Sequence, residues 1–292
     1  MFSLRALSSV LLVTTSTLAG CKSDRPSPES AGASASSAQA PKAAPTTVTV
    51  QAKDFAFNAP AQIPAGVVTI RLENHGKEIH QAQLVKLEDG KTAQDFAAAM
   101  KNPGPPPSWI KYLGGPNGAA PGQEVSTTSV LEPGQYLYLC FIPSPDGVIH
   151  AAKGMVRPFE VVAASTNAAN SQPETDVTIK LVDYDFQSSK PLAAGKQRIL
   201  VENMGPQGHE LVLVKLAPGK KVEDFASWAE TGLKGPPPAE PVGGVGVLDK
   251  GGWGVFTADL TAGDYGLICF VPDAKDGKMH LAHGMMKNIK VS

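Results

Sequence analysis

The sequence predicts a mostly β protein made of two tandem sandwich domains, each with one short helical insertion. Three observations predict it. Gly and Pro are abundant, at 29 and 25 of 292 residues. Short apolar runs alternate with polar residues over strand lengths, and one half of the chain repeats the other. Turn-forming residues at this density suit many short strands better than a helical bundle. Hydrophobic residues make up 42%, enough to fill real cores, so disorder over the whole chain is excluded. The net charge is -1, from 26 Lys and Arg against 27 Asp and Glu, which excludes a global positive field. No nucleic-acid partner is therefore expected. Three Cys are too few for a disulfide-stapled scaffold or a four-thiolate zinc site.

The repeat is read from matching segments. Leu84-Val85-Lys86-Leu87 recurs as Leu213-Val214-Lys215-Leu216, and Asp95-Phe96 as Asp224-Phe225. Pro105-Pro106-Pro107 recurs as Pro236-Pro237-Pro238, and Tyr136-x-x-x-Cys140-Phe141 as Tyr265-x-x-x-Cys269-Phe270. The offset stays near 129 residues, far longer than a solenoid period, so the unit is a duplicated domain. The copies are placed at 46–163 and 176–292. The polar stretch 164–175 between them is read as a linker.

Within each copy, Thr47–Val50, Val67–Leu72, Gln135–Cys140 and Arg198–Val201 have strand character. Pro64-Ala65-Gly66 and Glu132-Pro133-Gly134 mark turns. Thr92–Met100 and Val222–Glu230 are the helical pieces, each inside a longer insertion that ends in the Pro-rich stretch. Trp109, Trp228 and Trp253 are read as packing residues or loop anchors.

The N-terminus reads as a targeting segment. Arg5 supplies a positive start, and Ala6–Leu18 is apolar but too short to span a bilayer comfortably. Leu18-Ala19-Gly20-Cys21 resembles a bacterial lipobox, which makes 1–20 a lipoprotein signal peptide and Cys21 the lipidated first residue of the mature chain. Residues 21–45 are rich in Ser, Ala and Pro and nearly free of large apolar side chains, as expected of a disordered tether. Lys22 in place of Asp favours, by resemblance to Gram-negative lipoproteins, the outer membrane facing the periplasm. The expected membrane contact is the lipid anchor alone.

The six His can be checked one by one. His80 pairs with His209, and His150 with His280, in the repeat register, as Cys140 does with Cys269. The first His lies 60 residues before the Cys in both copies. Cys140-x9-His150-x4-Met155 becomes Cys269-x10-His280-x4-Met285, with Gly before each Met. Met285 rather than Met286 keeps that register. Two imidazoles, a thiolate and a weak thioether suit copper cycling between two oxidation states, and Met is not a usual zinc ligand. His75 matches Met204, and His283 matches Lys153, so neither is counted as a ligand. The plainer readings are an inert buried Cys with unrelated His in each copy, or a Cys140–Cys269 disulfide; four matched positions in two copies weigh against the first.

At these residues both copies resemble cupredoxins, the blue or type 1 copper domains. The shared pattern is Asn74-x5-His80 and Asn203-x5-His209, a Tyr-containing strand ending in Cys, a loop carrying the second His, and Gly-Met before a last strand at Val156–Val162 or Lys287–Val291. The resemblance covers nearly all of 46–292 and implies two Greek-key sandwiches. It also implies two type 1 coppers, one held by His80, Cys140, His150 and Met155 and the other by His209, Cys269, His280 and Met285. Two departures stand out. The Cys-to-His loop is longer than in small carriers such as plastocyanin and closer to that of copper nitrite reductases. The residue after the first His, commonly Asn, is Gln81 or Glu210.

The resemblance implies electron transfer with unidentified redox partner proteins. Copper handling without electron traffic, or a cupredoxin-like scaffold, are the other readings. Four of six His are already assigned and Leu139, Phe141, Ile268 and Phe270 flank the Cys residues, so no further copper cluster of three His is expected, and with it no enzymatic role.

Overall fold

The computed structural model describes residues 45–101, 106–164 and 172–292. The signal peptide, Cys21, nearly all of the tether and most of the linker lie outside them. No helix among the described residues is long and apolar enough to cross a membrane.

The first half runs through β1 (Thr46–Lys53), β2 (Ala56–Asn58), β3 (Gln62–Pro64), β4 (Gly66–Asn74), β5 (Gln83–Leu87), α1 (Ala93–Ala99), β6 (Ile110–Tyr112), β7 (Glu124–Leu131), β8 (Gly134–Leu139) and β9 (Val156–Val162). The second half repeats the plan with β10 (Val177–Val182), β11 (Asp185–Ser188), β12 (Gly195–Asn203), β13 (His209–Leu216), α2 (Val222–Glu230), β14 (Ala239–Leu248), β15 (Trp253–Leu260), β16 (Gly263–Ile268) and β17 (Met286–Val291).

Alternation explains the layers. In β1 and β7 every second residue is buried, as in a strand with one wet face. Val48, Val50, Ile70 and Leu72 of one sheet meet Leu84, Tyr136, Tyr138 and Phe159 of the other to form the first core. Ile179, Leu181, Ile199 and Val201 meet Leu211, Leu213, Tyr265 and Leu267 in the second. Each core draws only on its own half. Both halves are mostly β sandwiches, as the sequence predicts.

The Tyr of the repeat motif has a definite job. The Tyr136 hydroxyl donates to the carbonyl of Glu132 at 2.8 Å, and that of Tyr265 to Thr261 at 3.0 Å. Each bond ties the turn before the strand to the strand that ends in Cys. The helices start where the sequence places them. Thr92 caps α1 through a reciprocal pair with Asp95, and Phe96 and Phe225 bury the inner faces of α1 and α2. Trp228 anchors its loop through an indole bond to the Gly235 carbonyl at 3.2 Å.

The two halves are joined edge to edge. The order β2-β1-β4-β7-β15-β12-β10-β11 makes one eight-stranded sheet, with β7 and β15 antiparallel at the seam. Residues 113–116 also bridge to 245–248 of the other half. Pairing converts open strand edges, which invite aggregation, into a seam. Gly244 and Gly115 occupy matching places beside it, at φ +148 and +106. A Cβ on Gly244 would sit 2.0 Å from the Leu211 carbonyl oxygen, and one on Gly115 2.2 Å from that of Ala82, so only Gly fits.

Gln83, fully buried in the first half, clasps Val247 of the second. Its amide oxygen accepts from the Val247 N–H at 2.6 Å, and its amide nitrogen donates to the Val247 carbonyl at 2.9 Å. Gln83→Leu leaves the Val247 N–H without its partner, while the Val247 carbonyl keeps the Gly114 N–H that donates to it at 2.8 Å. The expected cost is about 2 kcal/mol in denaturant unfolding, against little change for an exposed control such as Gln187→Leu.

Candidate metal centre

Each candidate centre is assembled from three places in its half. The first His follows the loop after the long strand β4 or β12, the Cys follows β8 or β16, and the second His opens a short 3-10 turn before the last strand. His80, Cys140 and His150 come together, as do His209, Cys269 and His280. One ligand atom from each lies within 4.8 Å of the others. All six side chains are 0% exposed.

A buried Asn braces the first loop. The Asn74 amide donates to the carbonyls of Glu78 and Ala119, both at 2.8 Å, and its oxygen accepts from the Gly76 N–H at 2.8 Å. Asn203 does the same with Gln207, Leu248 and Gly205. The Asn in the Asn-x5-His pattern is thus fully used, and it sets where the His emerges. Gly at 76 and 205 leaves room for a carboxylate to reach the imidazole. A Cβ at Gly76 would lie 2.4 Å from the Asp54 carboxylate and 2.6 Å from His80 Nε2.

The carboxylates fix the imidazoles. Asp54 lies 3.0 Å from His80 Nε2, and Asp183 lies 2.7 Å from His209 Nε2. Glu78 lies 2.8 Å from His150 Nε2. An ionised carboxylate only accepts, so Nε2 carries the proton and, in a neutral ring, Nδ1 presents its lone pair. The two Nδ1 atoms then face each other, 3.1 Å apart in the first half and 3.0 Å in the second. Cys140 Sγ is 3.3 Å from His150 Nδ1 and 3.9 Å from His80 Nδ1, and Cys269 Sγ is 3.4 Å from His280 Nδ1. Burial lowers the pKa of His80 and His209 and brings His280 to about 4. Burial also pushes the Cys140 thiol up to about 12 and Cys269 higher still. Converging lone pairs beside a thiol are a donor set that a soft or borderline cation satisfies, so the residues fit copper.

Met155 and Met285 are fully buried in the same cores as the Cys residues. The Met155 N–H donates to the His150 carbonyl at 2.9 Å, and its carbonyl accepts from the Cys140 N–H at 3.3 Å. Met285 repeats both bonds with His280 and Cys269. Met286 is only partly buried and packs in the cluster under α2. His75 and His283 stay outside both triads, and Cys140 and Cys269 are free thiols.

The unusual residues after the first His act alike. The Gln81 side chain accepts from the Phe141 N–H at 3.1 Å, and its backbone N–H points at Cys140 Sγ at 3.4 Å. Glu210 accepts from the Phe270 N–H, also at 3.1 Å, and receives the Asn117 amide of the other half at 2.9 Å. Burial lifts the Glu210 pKa to about 7.

One exchange between the halves is hidden from the ligand pattern. Copy one has Glu78 on the first loop and Ser144 after the Cys; copy two has Gln207 and Asp273 in the matching places. The acid has moved from one loop to the other. Gln207 donates to Asp273 at 2.9 Å, and Asp273 Oδ2 is 3.9 Å from His280 Nε2, too far for a hydrogen bond. His280 Nε2 is accordingly a buried nitrogen with no partner among the described residues. Comparing acids across the repeat, rather than sulfur and imidazole alone, would have found it.

No protein-family model matches the chain, and no curated protein matches it. Solved structures similar to it include the dithionite-reduced auracyanin of Roseiflexus castenholzii, at 22% identity and TM-score 0.30, covering 41% of this chain and 99% of that one. The copper-containing nitrite reductase of Thermus scotoductus, at 13% identity and TM-score 0.24, covers 85% of this chain and 62% of that one. The blue copper oxidase of Nitrosomonas europaea, at 15% identity and TM-score 0.25, covers 85% and 86%. The last two are enzymes, which corrects the expectation that the chain has no enzymatic role. Counting His left out carboxylate donors.

The protonation states set two expected outcomes. With both thiols protonated at pH 7, each metal ion bound to a thiolate should displace about one proton from sulfur, read by calorimetry in buffers of different ionisation enthalpy. Glu210, whose folded pKa of about 7 exceeds its ordinary 4.5, favours folding below pH 4.5 and loses that contribution as pH rises through 7. Glu210→Gln should therefore gain up to about 3 kcal/mol over the parent at pH 8, and little at pH 4.

Proposed function

We propose that the protein is an electron-transfer lipoprotein of the bacterial cell envelope holding two type 1 coppers. The observation that carries this reading is the doubled, fully buried triad of two imidazoles and one thiol. His80, Cys140 and His150 would hold one copper, with Met155 as the weak fourth donor. His209, Cys269, His280 and Met285 would hold the other. Copper in such a set changes oxidation state with little rearrangement, because its donors suit both states.

The chain supplies the rest. Asp54, Glu78 and Asp183 fix the imidazole rings and their tautomers. The Gln81 N–H, aimed at Cys140 Sγ, steadies negative charge on the sulfur. Phe141 and Phe270, each pinned through its backbone, help keep water out. Donors that are all 0% exposed favour retention of the metal over release to a client, which supports a carrier over a copper-handling role.

Lipidation at Cys21 would tether the body to the outer membrane facing the periplasm, where soluble or membrane redox proteins are the partners. The lipobox-like Leu18–Cys21 and the Ser/Pro-rich stretch after it support this reading. Mass spectrometry of the membrane fraction should find a chain beginning at a lipid-modified Cys21; an unmodified chain would contradict it.

The test of function is a visible spectrum with copper quantitation on the full chain. Two coppers per chain, an intense blue absorption and reversible one-electron cycling are expected. Cys140→Ser should remove one copper and about half of the absorption while the second site persists. Colourless Cu(I) binding with no stable oxidised state would point instead to copper handling.

A further inference from the structure

A third cluster lies outside both triads. Asp273, Asp276 and His283 offer ligand atoms within 4.8 Å of one another. His283 Nε2 is 3.2 Å from Asp276 Oδ1, and the side chains of His283 and Asp276 are 28% and 38% exposed. Asp273 is buried behind them. Acids gathered at a surface would carry little by themselves. Here a second observation points the same way: His280, fully buried, directs its unpartnered Nε2 at Asp273 from the inner side.

The first half serves as an internal control. Lys153 stands where copy two has His283, and its ammonium is 2.7 Å from Asp146, the counterpart of Asp276. Ser144 stands in place of Asp273. His150 Nε2 already has Glu78. That place in copy one is neutralised by its own cation. In copy two a metal-ligating imidazole replaces the ammonium and a carboxylate replaces the hydroxyl, so negative charge is left over.

We propose that Asp273, Asp276 and His283 form an outer site for a divalent transition-metal ion, against the Nε2 edge of His280 and in the second half only. One imidazole and two carboxylates suit Zn(II) or a similar borderline cation better than Mg(II) or Ca(II), which take oxygen donors throughout. The Tyr184 hydroxyl and the Gln207 amide both donate to Asp273 and hold its carboxylate in place. Lys278, 3.9 Å from the other oxygen of Asp276 and 71% exposed, is free to swing into solvent when the ion arrives. The Tyr184 ring lies 4.9 Å from that of His283 and keeps the imidazole over the cluster. A dication here adds positive charge beside a ligand ring of the second inner site, which favours the reduced state there.

The experiment adds Zn(II) to the full chain already loaded with copper, so that the inner donors are occupied. One further ion per chain is expected by equilibrium dialysis, with affinity at least tenfold weaker in His283→Lys and in Asp276→Asn. Zinc should raise the reduction potential of one copper, the one lost in Cys269→Ser, and leave the other unmoved. No third ion, or equal affinity in the variants, would overturn the site; a shift of both potentials or of neither would overturn its placement against His280. This potential readout rests on the copper reading above. A chain that takes up no copper would contradict that reading, and zinc is then followed by the His283 imidazole resonance, whose shift is expected either way and whose immobility would overturn the site.

Discussion

The structure turns on forcing two imidazole nitrogens and a thiol against one another in a dry interior. Left alone, such groups repel or compete for one proton, and burial makes each charged form costly. The fold holds them there through elements that have other reasons to be where they are. The Cys ends a core strand, the second His opens a turn sealed by the backbone bonds of Met155 or Met285, and the first His is set by Asn74 or Asn203. The outer nitrogens of His80, His150 and His209 are committed to carboxylates, which leaves the inner ones no choice of tautomer. The site is thus preorganised by its surroundings, and a cation completes it without asking the backbone to move.

The duplication places these constraints in one body. The seam at β7 and β15 and the clasp of Gln83 on Val247 unite two cores that share no residue. Asn117 reaches from the first half to Glu210, whose other oxygen holds the residue after Cys269. Copy one meets the same need with Gln81, a neutral amide. The halves are therefore alike in ligands and unlike in the acids, amides and cations around them. Such differences are where two sites of one ligand set acquire separate properties.

Much of this was legible in the sequence because repetition doubles every signal. The spacing of His80, Cys140, His150 and Met155 gains meaning when His209, Cys269, His280 and Met285 keep it, and both helices fall where Thr92–Met100 and Val222–Glu230 place them. The hidden part depends on contacts between residues far apart in the chain. Nothing in the string says that Asp54 meets His80, that Gln83 reaches across 164 positions to Val247, or that the acid near the second His moved from Glu78 to Asp273. The expectation about enzymatic role failed for a related reason. It weighed the histidines and the residues that flank Cys140 and Cys269, although carboxylates also hold metals, and the solved structures similar to the chain include a nitrite reductase and an oxidase.

The most direct measurement is X-ray absorption at the copper edge of the copper-loaded chain. Two nitrogen neighbours and one short sulfur bond per copper are the predicted result, with the same surroundings kept around the single copper that the variant lacking the Cys140 thiol retains. A copper surrounded by oxygen and nitrogen alone, with no short sulfur bond, would contradict the account.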